Sequence, residues 1–105
     1  MASDYSISSA ERDGCTVVTI AGEVDLYASP RVRDELRSLI DQSSNDVVVD
    51  LRDLSFIDST GLGVLVGALK RLREKERSLV LEAPNPSIYK IFEITGLTQV
   101  FQITK

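Results

Sequence analysis

A carboxylate and two hydroxyls stand in a row at Asp58, Ser59 and Thr60, followed by Gly61 and Gly63. They lie where a short apolar stretch, Phe56-Ile57, meets a long amphipathic pattern that begins at Leu62. Asp58, Ser59 or Thr60 can cap a helix there, a side-chain oxygen accepting from an orphan backbone N–H. The same N–H groups, at the positive end of the helix dipole, can hold an anion. A hydroxyl in that place can carry a phosphate without melting the helix behind it, which is the chemistry of a phospho-switch. The plainer reading of the same residues is a capped helix start with glycines for close packing. A second pair of carboxylates, Glu23 and Asp25, follows an apolar run that ends at Gly22.

Other chemistries are poorly supplied. The chain contains no histidine, so the usual general base and the commonest zinc ligand are missing. No nucleophile is paired with a base in the manner of a hydrolase, and the chain reads as a non-enzyme with no cofactor and no metal. Asp50, Asp53 and Asp58 are candidate carboxylates for a phospho-aspartate domain. Such a site also needs an acidic pair to hold Mg²⁺, and the early strands offer only Glu23 and Asp25, with no matching lysine in the later loops.

The net charge of −4 argues against a nucleic-acid partner. Arg71, Arg73, Lys75 and Arg77 cluster, but Glu74 and Glu76 alternate with them, as on a solvated helix end. The single cysteine, Cys15, excludes an internal disulfide and reads as a buried thiol in a reducing compartment. No N-terminal pattern suggests a signal peptide, and the longest nearly apolar run, 62–69, is too short to cross a bilayer. The expected location is the cytoplasm, with no membrane partner. A length of 105 residues suits one domain, 1–105, around one core.

The elements that must position the candidate residues follow from periodicity and turn chemistry. Tyr5 and Ile7, then Cys15-Thr16-Val17-Val18-Thr19-Ile20, read as two strands joined through Asp13-Gly14, a strong hairpin signal. Gly22 ends the second strand, and residues 23–28 form a loop. Ser29 caps the first helix, with Pro30 at its first position and Val32, Leu36, Leu39 and Ile40 as the buried stripe. Asp46-Val47-Val48-Val49-Asp50-Leu51 reads as a central strand. A second helix runs from about Thr60 to Glu76 on Leu62, Leu65, Val66, Leu69 and Leu72, and Gly63 and Gly67 allow close approach of its neighbour. Ser78-Leu79-Val80-Leu81-Glu82 is a strand. Asn85-Pro86 starts a third helix, with Ile88, Ile91, Phe92 and Ile94 inward and Gly96 closing it. Val100-Phe101-Gln102-Ile103 is the last strand. After the hairpin the order is β-α-β-α-β-α-β, the signature of an α/β fold with a mostly parallel sheet. Sites in such sheets form outside the carboxyl ends of strands, so Glu23, Asp25, Asp58 and Ser59 belong at one end.

This order of elements, the Gly22-Glu23-Val24-Asp25 segment and Asp58-Ser59-Thr60-Gly61-Leu62-Gly63 together resemble the STAS domain, specifically the bacterial anti-sigma-factor antagonists. Leu51-Arg52-Asp53-Leu54-Ser55-Phe56 and Phe92-Glu93-Ile94-Thr95-Gly96-Leu97 also look like that family, and the resemblance spans roughly residues 5–103. It implies a regulatory protein without catalytic activity. The unphosphorylated form would bind an anti-sigma factor that is also a serine kinase, and so release a sigma factor. Phosphorylation of the serine after the motif aspartate, here Ser59, would switch it off, and a PP2C-type phosphatase would restore it. The resemblance also implies that Glu23 and Asp25 form an acidic partner loop, with Asp58, Thr60, Gly61 and Gly63 around the phosphoacceptor. Thr60 fills a second hydroxyl position and leaves a minor phosphorylation there open. Similar domains also occur in anion transporters and in large stress-signalling assemblies, and the alternative role is a subunit of such an assembly.

Overall fold

The computed structural model describes residues 4–105. Strand β1 (Tyr5–Arg12) turns back into β2 (Cys15–Val24), pairing Arg12 with Cys15 across a two-residue loop. Asp13 and Gly14 both have positive φ, 52° and 80°, as a type I′ hairpin demands. Helix α1 (Ser29–Asp41) leads to β3 (Val47–Asp50) and β4 (Leu54–Ile57). Helix α2 (Ser59–Glu74), β5 (Leu79–Glu82), α3 (Pro86–Ile94), a 3-10 turn (Leu97–Gln99) and β6 (Gln102–Thr104) complete the chain. The sheet order is β1-β2-β3-β5-β6, with β4 also on β2, and every pairing except β1–β2 is parallel.

Long β2 carries two partners in succession. Its first half pairs with β3, from Thr16 opposite Val47 to Thr19 opposite Asp50, and its last residues pair with β4, Glu23 opposite Phe56 and Val24 opposite Ile57. The register shifts between Gly22 and Glu23. Gly22 is required at that step: its φ is +87°, and a Cβ there would lie 2.1 Å from the Asp4 carbonyl oxygen. The strand therefore does not end at Gly22, and Glu23 lies within β2 rather than in a loop. Strand β4 was not foreseen. Its four residues mix buried Leu54 and Ile57 with exposed Ser55 and Phe56, so neither a period of two nor an apolar run marks it.

Inward residues of three strands, Val18 and Ile20, Val47 and Val49, Leu79 and Leu81, meet the buried stripes of the helices. Helix α1 contributes Val32, Leu36 and Ile40; α2 contributes Leu62, Leu65, Leu69 and Leu72. Phe92 of α3 meets Phe101 edge to face, ring centroids 5.8 Å apart. Asn85 caps α3 as expected, its Oδ1 accepting from the Ile88 N–H at 2.9 Å, and its Nδ2 donates to the Leu54 carbonyl of β4. Arg77 closes α1 from outside, donating to the carbonyls of Ile40 and Asn45.

Several local expectations are corrected. Ala28, not Ser29, is the residue before α1, and Ser29 is a buried helical residue. Ile94 faces out, 73% exposed, because α3 ends there and the chain turns away at Gly96. The last strand starts at Gln102, since residues 97–99 form the 3-10 turn and Val100 is exposed. Cys15 is half-buried rather than buried. Gly63 and Gly67 pack against nothing: a Cβ on either would meet no atom within 4 Å.

Candidate functional site

The parallel pairing of β2 with β4 decides the site. Both strands end together, so the loop after Val24 and the junction after Ile57 emerge side by side. The Asp58 N–H reaches back to the Val24 carbonyl at 3.4 Å. Glu23, Asp25, Asp58 and Ser59 thus share the carboxyl end of the sheet, as the element order implied.

Of the three possible caps, Asp58 is the one used. Its backbone is extended, and its Oδ1 accepts from the N–H groups of Thr60 at 3.0 Å and Gly61 at 3.2 Å. The same oxygen accepts from the Thr60 hydroxyl. The Thr60 hydroxyl, then the Gly61, Thr60 and Leu26 amides, hold the Asp58 carboxyl below the usual carboxylate range, against the opposing pull of burial. This geometry revises the idea of an open anion site at the helix start. The protein's own carboxylate already occupies it.

The two hydroxyls of the motif receive different surroundings. Thr60 is half-buried and turned toward α1, with its Oγ1 3.0 Å from the Ser29 Oγ. Each hydroxyl has one proton. The Thr60 proton goes to Asp58, so the Ser29 proton serves both Thr60 and the Asp25 carbonyl, 2.8 Å away. Asp25 in turn folds the loop, its Oδ1 accepting from the N–H groups of Tyr27 at 3.0 Å and Ala28 at 2.9 Å. A continuous chain of polar contacts therefore ties the start of α2 to the start of α1. Ser59, the first residue of α2, is exposed.

Gly61 does pack closely. A Cβ there would sit 2.6 Å from Ile57 Cγ1 and 3.0 Å from both the Val24 Cγ1 and carbonyl oxygen. Only glycine lets α2 start this near the paired ends of β2 and β4. Gly63, two residues on and therefore on the opposite side of the helix, is exposed and open. Glu23 is exposed and Asp25 is half-buried.

Sequence reasoning did not single out the apolar surface beside these groups. Leu26 is 59% and Tyr27 79% exposed, and Phe56 also faces out. No periodicity marks Leu26 and Tyr27, which lie in a loop. Ser29, expected as a helix cap, instead faces Thr60, a role that depends on Thr60 being opposite. Among the described residues no helix is long and apolar enough to cross a membrane.

The family model of the STAS domain matches residues 6–105. The chain belongs to the STAS domain family. An anti-sigma-B factor antagonist of Listeria monocytogenes is 39% identical over 101 residues, covering 95% of this chain and 89% of that protein. Its counterpart in Bacillus subtilis is 41% identical over 87 residues, with 83% and 79% covered. The crystal structure of an anti-sigma factor antagonist from Mycobacterium paratuberculosis superposes with a TM-score of 0.87 at 25% identity, covering 96% of this chain and 86% of that one. In this STAS domain the carboxyl end of the sheet thus presents an exposed serine, a carboxylate-capped helix and a loop with bare apolar side chains.

Proposed function

We propose that the chain is a cytoplasmic anti-sigma-factor antagonist without enzymatic activity. In its unphosphorylated form it binds an anti-sigma factor that is also a serine kinase, and so frees a sigma factor. The kinase phosphorylates Ser59, the complex dissociates, and a PP2C-type phosphatase resets the protein. The partner surface comprises Glu23, Asp25, Asp58, Thr60, Gly61 and Gly63 around Ser59. Two relatives carrying the antagonist name over most of their length support this reading.

The single observation that carries the site is the contrast between neighbouring hydroxyls. Ser59 is exposed at the first position of α2, while Thr60 is held against Asp58 and Ser29. A kinase reaching Thr60 would have to break those contacts; reaching Ser59 disturbs none of them. A phosphate on Ser59 adds about −1.5 to −2 charges beside Asp58, which already holds the Thr60 and Gly61 amides of the helix start. It therefore faces outward, and its effect falls on the partner. Burying such a charge unpaired costs about 2–5 kcal/mol in an interface.

The test incubates the chain with its cognate anti-sigma factor kinase and ATP. Intact mass should show one phosphate on the wild type and on Thr60→Val, and none on Ser59→Ala. Ser59→Asp should lose affinity for the kinase by roughly 30-fold or more, and Ser59→Ala should keep it. Undiminished phosphorylation of Ser59→Ala would remove Ser59 from the reading.

A further inference from the structure

The seam between α1 and α2 is an open groove that begins at the Ser59 turn. Its upper part, about 300 Å³, is bounded by Leu26, Ser29 and Thr60; its lower part, about 200 Å³, continues past Gly63 and Gly67 to Glu74. Arg33, Gly63 and Val64 line both parts, so the two are one channel. From Thr60 to Glu74 it follows α2 for ~21 Å, the rise of about fourteen helical residues.

The walls are cationic on a chain whose net charge is −4. Arg33 and Arg37 rise from α1, and Lys70 and Arg71 from α2. Arg71 is bound to Asp41 at 2.6 Å, and Arg33 only grazes exposed Asp34 at 3.4 Å. Arg37 and Lys70 make no ion pair or hydrogen bond among the described residues, and Glu74 is the single acidic group, at the far end. The pole beside Ser59 is the opposite: Glu23, Asp25 and Asp58 gather there.

Within this basic channel the floor is bare backbone. Gly63 and Gly67 are exposed, and neither is needed for packing inside the chain. Glycine inside a helix destabilises it relative to alanine. Here that cost has no return within the free protein.

We propose that this groove is a docking site for an acidic helix of the anti-sigma factor, laid along α1 and α2 with its backbone against Gly63 and Gly67. The proposal rests on the partner reading given above and extends it from the Ser59 turn to a second, oppositely charged pole. Acidic side chains of the partner helix meet Arg33, Arg37 and Lys70, while cationic groups meet Glu23, Asp25 and Asp58. Such a bipolar surface admits the partner in one orientation only, because reversal would bring like charges together at both ends. The channel length suits a helix of about three to four turns, and a floor without side chains allows close approach along it.

The experiment measures binding of the purified cognate anti-sigma factor to five proteins. These are the wild type, Ser59→Asp, the double variant Arg37→Glu/Lys70→Glu, Gly67→Leu and Gly67→Ala. The double variant should bind roughly tenfold more weakly at low salt, with a flatter salt dependence. Gly67→Leu should also lose roughly tenfold in affinity, while its melting temperature stays at or above that of the wild type. Gly67→Ala is the second variant at this position; it should melt about 2–4 °C higher and still bind less tightly.

If Arg37→Glu/Lys70→Glu or Gly67→Leu binds within twofold of the wild type while Ser59→Asp does not, the groove proposal fails and the Ser59 reading stands. If the groove variants weaken binding and Ser59→Asp does not, the groove stands and the phospho-switch falls. Absence of wild-type binding overturns both. A wild-type dimer in sedimentation that Arg37→Glu/Lys70→Glu dissolves would give the groove to a second copy of the chain and overturn the proposal.

Discussion

Replacing Asp58 with alanine should destabilise the protein by about 1–3 kcal/mol at neutral pH. Loss of a helix N-cap costs about 0.5–2 kcal/mol. The Thr60 hydroxyl loses the same acceptor, a bond worth about 0.5–1.5 kcal/mol where water does not take over. At about 4 °C per kcal/mol for a domain of this size, the melting temperature should fall by roughly 4–12 °C. Asp58→Asn keeps an oxygen in place, and asparagine caps as well as aspartate. It should therefore lose less than about 1 kcal/mol, the part due to charge. The pH dependence gives an independent check. Asp58 titrates lower in the folded protein than when unfolded, chiefly through the Thr60 hydroxyl. Its stabilisation is then complete above the unfolded pKa of about 3.9, and it disappears as pH falls through the folded value. Urea titrations of wild type and Asp58→Ala from pH 7 downward should show the gap between them narrowing below about pH 4. Asp41, held low by Arg71 and then Lys75, also weakens the fold in acid, but it is common to both proteins and cancels. A neutral-pH gap under about 0.5 kcal/mol, or one that stays constant into acid, would refute the assigned role of the carboxylate.

Gly61→Ala should cost at least about 1–3 kcal/mol, because its Cβ would overlap Ile57 and Val24 at the tightest point between α2 and the sheet; a melting temperature equal to wild type would show that the contact relaxes freely. Asp25→Ala should lower stability by about 1–2 kcal/mol, since the carboxylate accepts from two backbone amides at the entrance to α1. In stopped-flow association with the anti-sigma factor, it should also reduce the salt dependence of the on-rate. Equal salt slopes for wild type and variant would confine Asp25 to shaping the loop.

The fold class was legible because the long elements carry strong local signals. Asp13-Gly14 forms the two-residue hairpin, Asn85-Pro86 opens α3, and the helical stripes of α1 and α2 are buried as their spacing implies, except that Leu39 and Val66 are half-buried. What escaped notice depends on contacts between distant residues. Strand β4 exists because Gly22 bends β2 and frees its end to take a second partner, which no property of residues 54–57 announces. The N-cap of α2 could not be chosen among three polar residues until the backbone showed Asp58 extended and Thr60 turned toward Ser29. The glycines of α2 read alike in sequence. Gly61 faces the sheet and Gly63 and Gly67 face away from it, so one is steric and two are open.

Position on the helix gives two neighbouring hydroxyls different surroundings, Thr60 a structural contact and Ser59 open solvent. Consecutive residues on an α-helix point about 100° apart. With Thr60 directed at Ser29 of α1, Ser59 necessarily leaves the seam and faces solvent. Thr60, Asp58, Ser29 and Asp25 then form one polar chain that holds the Leu26–Tyr27 segment next to Ser59 without involving the serine itself. In the proposed mechanism this separation is what lets the same surface serve two states. Modification of Ser59 alters charge at the centre of the contact, yet every bond that shapes the contact persists. The phosphorylated protein therefore keeps its fold and loses its partner, and removal of the phosphate restores binding with no refolding step.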